Sequence, residues 1–364
     1  MSLNLNTIES LCLLRLSAIG DVCHAVAMVQ AIQRQKPGIE ITWVLGKVEY
    51  QLLKHLPGIE FVIFDKSQGW RSYLNLYRAL KGRRFDVLLH MQVALRASIA
   101  SLAISARVRM GFDRARAKEG QWLVTNHRVA PLAQPHVLDG FMGFARELGV
   151  TDLTPRWDIP VPPADSEFAQ ALIADGEKVL VICAAASKAE RNWLPERYAA
   201  VAEHAAGKGY RVLLCGGPTA LEKDLAGAIE QACAASLENL VGRTSLTQLL
   251  ALLKRASIVL APDTGPLHMA VTQGTPVIGL YAHSNPGRTG PYLFRDSVVS
   301  VYDEAMASQH QGPVPWGTRA KGGDLMALIS IEAVIEKFDL VANASRHQTE
   351  LMCNKVIYDS QNGL

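Results

Sequence analysis

No apolar run in this chain approaches the roughly 18 residues needed to cross a membrane, so no transmembrane segment is expected. Residues 1–8 are mixed with polar side chains, and the short apolar stretch from Leu11 is broken by Arg15, so a signal peptide is not expected either. The 6 cysteines form no C-x-x-C pair and the 10 histidines show no metal-ligand spacing, which excludes a zinc site or a disulfide framework as an organising feature. Cys12, Cys183 and Cys215 lie inside apolar runs, where a reduced thiol acts as a small hydrophobe and fits a reducing cytoplasm. The formal net charge of +3 is too slight to point to nucleic acid. A complete G-x-G-x-x-G is missing, which disfavours a nicotinamide dehydrogenase, and the absence of G-x-x-x-x-G-K-[ST] disfavours a P-loop kinase. No repeat between the two halves is legible by eye.

What remains is an ordinary globular composition, 49% hydrophobic and 20% charged. The length of 364 residues is about twice that of a typical domain. Short apolar runs alternate with helix-period segments, as in parallel sheets built from βαβ units. The first half predicts strands over 11–16, 40–45, 61–64, 87–91 and 108–111, with helices over 22–35, 50–55, 70–83 and 94–104. Four prolines between Thr151 and Asp165 read as an extended linker. A second series follows: strands over 179–184, 211–215, 258–261 and 276–281, and helices over 195–208, 220–235, 246–255 and 266–273. A last helix is expected over about 326–342. In open parallel sheets ligands sit beyond the carboxyl ends of the strands, so the strand-end loops are the places to look for chemistry.

The strongest motif is L-A-P-D-T-G-P-L-H, residues 260–268: a strand end, a tight turn at Asp263-Thr264-Gly265, then Pro266 opening a helix. Free N–H groups and the helix dipole make that start an anion site suited to a phosphate, with Gly265 permitting close backbone approach. The competing account is that Asp263 or Thr264 only caps the helix. Ser187, Lys188 and Arg191 follow the first strand of the second half and offer a hydroxyl and two cations to a diphosphate, or else form a solvated loop. Glu222 reads as a ribose acceptor or a helix-start glutamate, and Thr244 as a pocket residue or, with Ser245, a cap. Arg288 sits in a Gly/Pro loop and fits either an anion contact or a surface charge. In the first half, L-L-R-L-S-A-I-G-D places Asp21 at a helix start, where a carboxylate either caps N–H groups or faces a substrate. Arg96, Arg107, Arg109, Arg114, Arg116 and Lys118 form a basic stretch, read either as a binding surface or as a solvated loop.

Taken together, S-A-I-G-D, A-E-R-N-W and D-T-G-P-L-H resemble the ADP-heptose:lipopolysaccharide heptosyltransferases of glycosyltransferase family nine, over roughly residues 11–335. His90–Leu102 is similar to that family's acceptor-facing segment. The resemblance implies an α/β fold of GT-B type, two Rossmann-like domains facing each other across a cleft. The expected divisions are 1–160 for an acceptor-binding domain, 161–177 for a linker and 178–325 for a nucleotide-sugar-binding domain. A helix over 326–345 is expected to cross back to the N-terminal domain, with 346–364 as a tail. The implied function is inverting transfer of heptose from ADP-heptose to the lipopolysaccharide inner core, without an obligatory metal or cofactor. Asp21 matches the family's catalytic aspartate. Asp263, Thr264, Gly265 and His268 match the donor motif, joined by Ser187, Arg191, Glu222 and Thr244. Arg191 stands where close relatives often carry lysine. Ser17, Gly20, Gln92 and Arg96 are the implied acceptor contacts. The implied partners are ADP-heptose, lipid A–core oligosaccharide and the cytoplasmic face of the inner membrane, with no nucleic acid. The alternatives are a GT-B enzyme using another nucleotide sugar and a non-catalytic nucleotide-sugar-binding protein.

Overall fold

The structure, a computed structural model, describes residues 3–344. The chain divides into two compact units, Met1–Pro162 and Pro163–Leu364. The first is built on strands β1 (Ser10–Leu14), β2 (Glu40–Gly46), β3 (Ile59–Phe64), β4 (Phe85–His90), β5 (Ala106–Gly111) and β6 (His127–Arg128). They form one six-stranded sheet in the order β3-β2-β1-β4-β5-β6, every pairing parallel. The central strands are covered on both faces, which explains their unbroken apolar runs: Leu11, Cys12, Leu13 and Leu14 of β1 and Val87, Leu88 and Leu89 of β4 are all essentially fully buried.

The second unit uses β7 (Val179–Ile182), β8 (Arg211–Leu214), β9 (Leu237–Asn239), β10 (Ile258–Pro262), β11 (Val277–Tyr281) and β12 (Val298–Ser300). Its order is β12-β11-β10-β7-β8-β9, again all parallel. Numbered from its own first strand, this is the same winding as the first unit. Each sheet therefore changes direction once, between β1 and β4 in one unit and between β7 and β10 in the other, and the loops after those strands flank the crevice where doubly wound folds bind ligands. Asp21 and Gln92 lie on the first pair of loops and their helix starts. Ser187, Arg191 and Asp263 lie on the second.

The principal predicted strands and helices are present with shifted ends, and four differences have identifiable causes. The expected linker over 161–177 is helical at Pro163–Leu172, where Pro163 opens the helix at the position that needs no N–H donor and Asp165 sits in the first turn. The helix Val137–Glu147 falls where no element was expected; it buries Leu138, Phe141, Met142, Phe144 and Ala145 and packs on the helix Ile19–Gln35. The edge strands β6, β9 and β12 are only 2 or 3 residues long, too short to show a pattern. The expected last helix is interrupted: a 3₁₀ turn spans Leu325–Leu328, and a separate helix over 331–344 begins after Ser330, whose hydroxyl accepts the Ala333 N–H at 3.2 Å.

That helix buries Val334, Phe338, Val341 and Ala342 in the core of the second unit, with Phe338 against Tyr210. The tail expected over 346–364, with Cys353, lies outside the described residues. The remaining five cysteines are unpaired, and Cys12, Cys23, Cys183 and Cys215 are buried. Burial pushes the Cys215 thiol up to about 12, as befits an inert core thiol.

Candidate active site

In the first unit, β1 runs into a loop that ends at helix Ile19–Gln35, with Asp21 in its first turn. The Asp21 carboxylate does cap: Oδ2 accepts the Ala18 N–H at 3.3 Å. The same Oδ2 forms an ion pair with Arg15, a residue the sequence reading did not single out. Arg15 is itself fixed, its Nη1 donating to the Met91 carbonyl at 2.6 Å and its guanidinium lying 5.2 Å from the Phe141 ring centre. Both engagements fall on one oxygen, Oδ2, of a side chain 31% exposed. Capping and the ion pair thus share that one oxygen.

Of the implied acceptor contacts, Gln92 is a clasp: its Oε1 accepts the Leu16 N–H at 2.7 Å and ties the loop after β4 to the loop after β1. Ser17 and Gly20 are half-buried in the β1 loop and first helical turn, and Arg96 is exposed on helix Leu95–Ser101. The expected basic cluster is not one surface. The Arg109 guanidinium is committed to the carbonyls of Val124, Ile104 and Ser101, at 2.7, 2.7 and 2.9 Å. Arg116 pairs with Asp113 and donates to the Ala130 carbonyl, and Arg114 stacks 3.8 Å from the Trp122 ring centre. These guanidiniums hold loops together, a function that neutral carbonyls and rings supply and that sequence charge does not reveal.

A second carboxyl lies close to Asp21. Glu49 is 8% exposed in helix Lys47–Leu53, beside Gly46. A Cβ at Gly46 would collide with Glu49 Oε2 and lie 2.5 Å from the Leu16 carbonyl oxygen, so only glycine fits there. Burial pushes the Glu49 carboxyl above its ordinary range, Lys66 and Arg15 oppose the shift, and Asp21 adds to it. The folded chain holds this proton more tightly than the unfolded chain does, so Glu49 contributes stability at acidic pH that is lost as pH rises. Glu49→Gln is therefore expected to melt above wild type at about pH 8, with the gain shrinking toward about pH 4. Thermal melts at both values check this, and a gain independent of pH would overturn it.

In the second unit the loops after β7 and β10 meet at the start of helix Gly265–Thr272. Helix Gly265–Thr272 has Thr264 at its N-cap position, yet the Thr264 side chain makes no capping hydrogen bond. Thr264 Oγ1 is instead 3.3 Å from the Ala185 carbonyl on the loop after β7, so the capping reading of Thr264 gives way. Helix N-terminal N–H groups lack intrahelical partners, and Pro266 brings none of its own to this first turn. Asp263 is the hub. Its Oδ1 is 3.6 Å from His268 Nε2 and its Oδ2 is 3.5 Å from Thr289 Oγ1. Burial alone would raise the Asp263 carboxyl, but His268, Ser284 and Arg191 together hold it below the usual carboxylate range.

Arg191 closes a 3₁₀ turn (Ala189–Arg191) and donates from Nη2 to Ser187 Oγ at 2.7 Å. Its Nε is buried without a hydrogen-bond partner among the described residues, an orphan donor of the kind an anion satisfies. Burial lowers the Arg191 pKa, Asp263 opposes this, and Arg319, a second guanidinium that the sequence reading passed over, lowers it further. His283, also unforeseen, fixes the turn: Nε2 is 2.9 Å from the Glu190 carbonyl and Nδ1 is 3.1 Å from the Ala320 carbonyl. Lys188 pairs with Glu190 at 3.6 Å. Trp193 is a core residue, 1% exposed, as its sequence context suggested.

Glu222 lines a small cavity together with Ala184 and Ala185 of the loop after β7. Glu222 completes a capping box, accepting from Gly217 N–H at 2.7 Å and from the Thr219 hydroxyl at 2.6 Å. The cap of helix Leu246–Arg255 is Ser245, and Thr244 is half-buried just before it.

Both units thus place charged and polar side chains at the switch point of a parallel sheet. The family model of glycosyltransferase family 9 (heptosyltransferase) matches residues 73–314. The chain belongs to glycosyltransferase family 9. The lipopolysaccharide core heptosyltransferase OpsX of Haemophilus influenzae is 47% identical over 330 residues, covering 90% of this chain and 95% of that protein. A glycosyl transferase family 9 structure from Veillonella parvula superposes with a TM-score of 0.76 at 21% identity, covering 94% of this chain and 99% of that one. The heptosyltransferase WaaC of E. coli, solved with ADP, gives a TM-score of 0.71 at 20% identity over 92% and 100% of the two chains. This family 9 chain is accordingly a glycosyltransferase of α/β, GT-B architecture. Among its described residues no group of three or more His, Cys, Asp or Glu is placed to hold a metal ion. No helix among them is long and apolar enough to cross a membrane.

Proposed function

We propose that this family 9 enzyme transfers heptose from ADP-heptose to the lipopolysaccharide core with inversion, using Asp21 as general base. Asp21 Oδ1 takes the proton of an acceptor sugar hydroxyl as that oxygen bonds to the donor's anomeric carbon, and the bond to the diphosphate breaks on the opposite face. Negative charge then builds on the departing ADP. The observation that carries the reading is the start of helix Gly265–Thr272, where Thr264 makes no capping hydrogen bond, with the unpartnered Arg191 Nε within electrostatic reach of Asp263. Fixed N–H dipoles and a positioned guanidinium stabilise such charge without reorganising. Arg191, Ser187, Thr264, Gly265 and His268 are the donor contacts in this reading. Asp263 orients His268 and Arg191 and does not itself meet the phosphates, since a carboxylate there would repel them. Glu222 and Thr244 shape the surrounding loops.

Ser17, Gly20, Gln92 and Arg96 border the acceptor, with Gln92 holding the β1 loop in place through Leu16. The reading assigns leaving-group charge to protein groups, so turnover is expected to persist in a chelator. The acceptor is an anionic amphiphile, and the enzyme works at the cytoplasmic face of the inner membrane. Support for donor and acceptor comes from OpsX, the H. influenzae core heptosyltransferase, at 47% identity. The test is a screen of nucleotide sugars against core acceptors, read by mass spectrometry. A one-heptose increment with ADP-heptose is expected; transfer only from UDP- or GDP-sugars would replace the donor assignment.

A further inference from the structure

Residues 310–324 form no helix or strand and lie mostly beyond the family match, which ends at residue 314. The backbone around Arg319 is nevertheless pinned on both sides. The Tyr302 hydroxyl donates to the Thr318 carbonyl at 2.8 Å. The Ala320 N–H donates to the His283 carbonyl at 3.0 Å, and Ala320 is buried in a small cluster with Tyr302, Ala305 and Met306. Gln309 bonds both the carbonyl and the N–H of Lys321, at 2.6 and 2.8 Å. The His283 ring completes the tie, Nδ1 lying 3.1 Å from the Ala320 carbonyl and Nε2 2.9 Å from the Glu190 carbonyl. One imidazole thus joins the residue after Arg319 to the residue before Arg191.

The Arg319 side chain itself is exposed, with no hydrogen bond or ion pair among the described residues. Its backbone is fixed and its guanidinium is not, so the loop presents a charge rather than using it as a brace. The charge it faces has the same sign: Arg319 and burial both push the Arg191 pKa down. Arg191 Nε is buried and unpartnered. The two carboxylates that act on Arg191 have other partners, Asp263 with His268 and Thr289 at 3.6 and 3.5 Å, and Glu190 with Lys188 at 3.6 Å. The same loop crosses Arg288, whose Nε would lie 3.6 Å from a Cβ at Gly317. Gathering like charges costs free energy that a bound anion recovers, and a guanidinium fork matches phosphate oxygens. We propose that Arg319 is a further donor-binding residue, sharing the diphosphate of the nucleotide sugar with Arg191. The inference rests on the donor-site reading above and adds to it a residue outside the family match. A diphosphate can engage both guanidiniums, whereas a monophosphate engages Arg191 and leaves Arg319 in solvent.

The experiment is calorimetric titration of the full chain with ADP, AMP and UDP, comparing wild type with Arg319→Gln and Arg319→Lys. Arg319→Gln is expected to weaken ADP by about tenfold, the scale of one hydrogen bond to a charged group, and AMP by about twofold or less. Arg319→Lys keeps the charge without the fork, so its ADP affinity should fall between the two. A purely structural Arg319 would lower the melting temperature and weaken ADP and AMP alike, and that result would overturn the proposal. So would equal ADP affinity in wild type and Arg319→Gln, or a loss confined to the KM of the acceptor. Wild type that prefers UDP would overturn the adenine donor alone, since the same loss in Arg319→Gln is then expected on UDP. Wild type that binds neither diphosphate would overturn both the donor reading and this one.

Discussion

Asp21→Asn is expected to lower turnover by about 100- to 10,000-fold while donor affinity stays within about twofold of wild type. The amide keeps an oxygen that accepts the Ala18 N–H, so the first turn of helix Ile19–Gln35 keeps its cap. What it loses is the ability to take a proton, together with the charge that pairs with Arg15. That pair is partly exposed, and its loss costs about 1 kcal/mol, a shift of a few degrees in melting temperature. The two roles separate cleanly in this one variant. A purely capping Asp21 predicts unchanged turnover and a stability loss only on Asp21→Ala, about 1 kcal/mol. Steady-state kinetics beside thermal melts decide between them, and wild-type-like turnover in the asparagine variant would remove Asp21 from the mechanism.

Arg191→Met should cost about 100- to 1000-fold in kcat/KM, the size of effect seen when one preorganised donor to a developing negative charge is removed. The methionine fills much of the same volume and leaves Ser187 without its 2.7 Å donor. Arg191→Lys keeps the charge but replaces a planar fork by a point, so its loss should be smaller and concentrated in kcat. If Arg191 only braced the loop, both variants would lower stability and leave kinetics per folded molecule unchanged. Kinetics normalised to folded protein, with ADP inhibition constants, distinguish the outcomes: a leaving-group role predicts weaker ADP inhibition in Arg191→Met.

How far the sequence carried the argument differs between elements. Helix Leu246–Arg255 was located to the residue, because an N-cap serine and a run of leucines at helical spacing are local signals. Helix Val137–Glu147 and the short edge strands were not foreseen: the edge strands hold too few residues for a period, and the helix follows a loop without a clear start signal. The basic stretch misled for a related reason. Charge is visible in a sequence, but whether a guanidinium meets solvent or three backbone carbonyls depends on a loop's path.

The sequence by itself determined the α/β class, the alternation that makes two parallel sheets, and the residue types at the strand ends: Asp21, Ser187, Arg191 and the Asp263–His268 turn. Strand ends announce themselves locally, through apolar runs that stop at small residues. Only the tertiary structure decided that both units share one winding, so that these loops fall at the switch point of each sheet. It alone showed that Thr264 makes no capping hydrogen bond to its helix, that Asp21 spends one oxygen on Arg15 and Ala18, and that Glu49 stands nearby. Those facts depend on which side chains meet across distant strands, and pairing at a distance leaves no trace in local order.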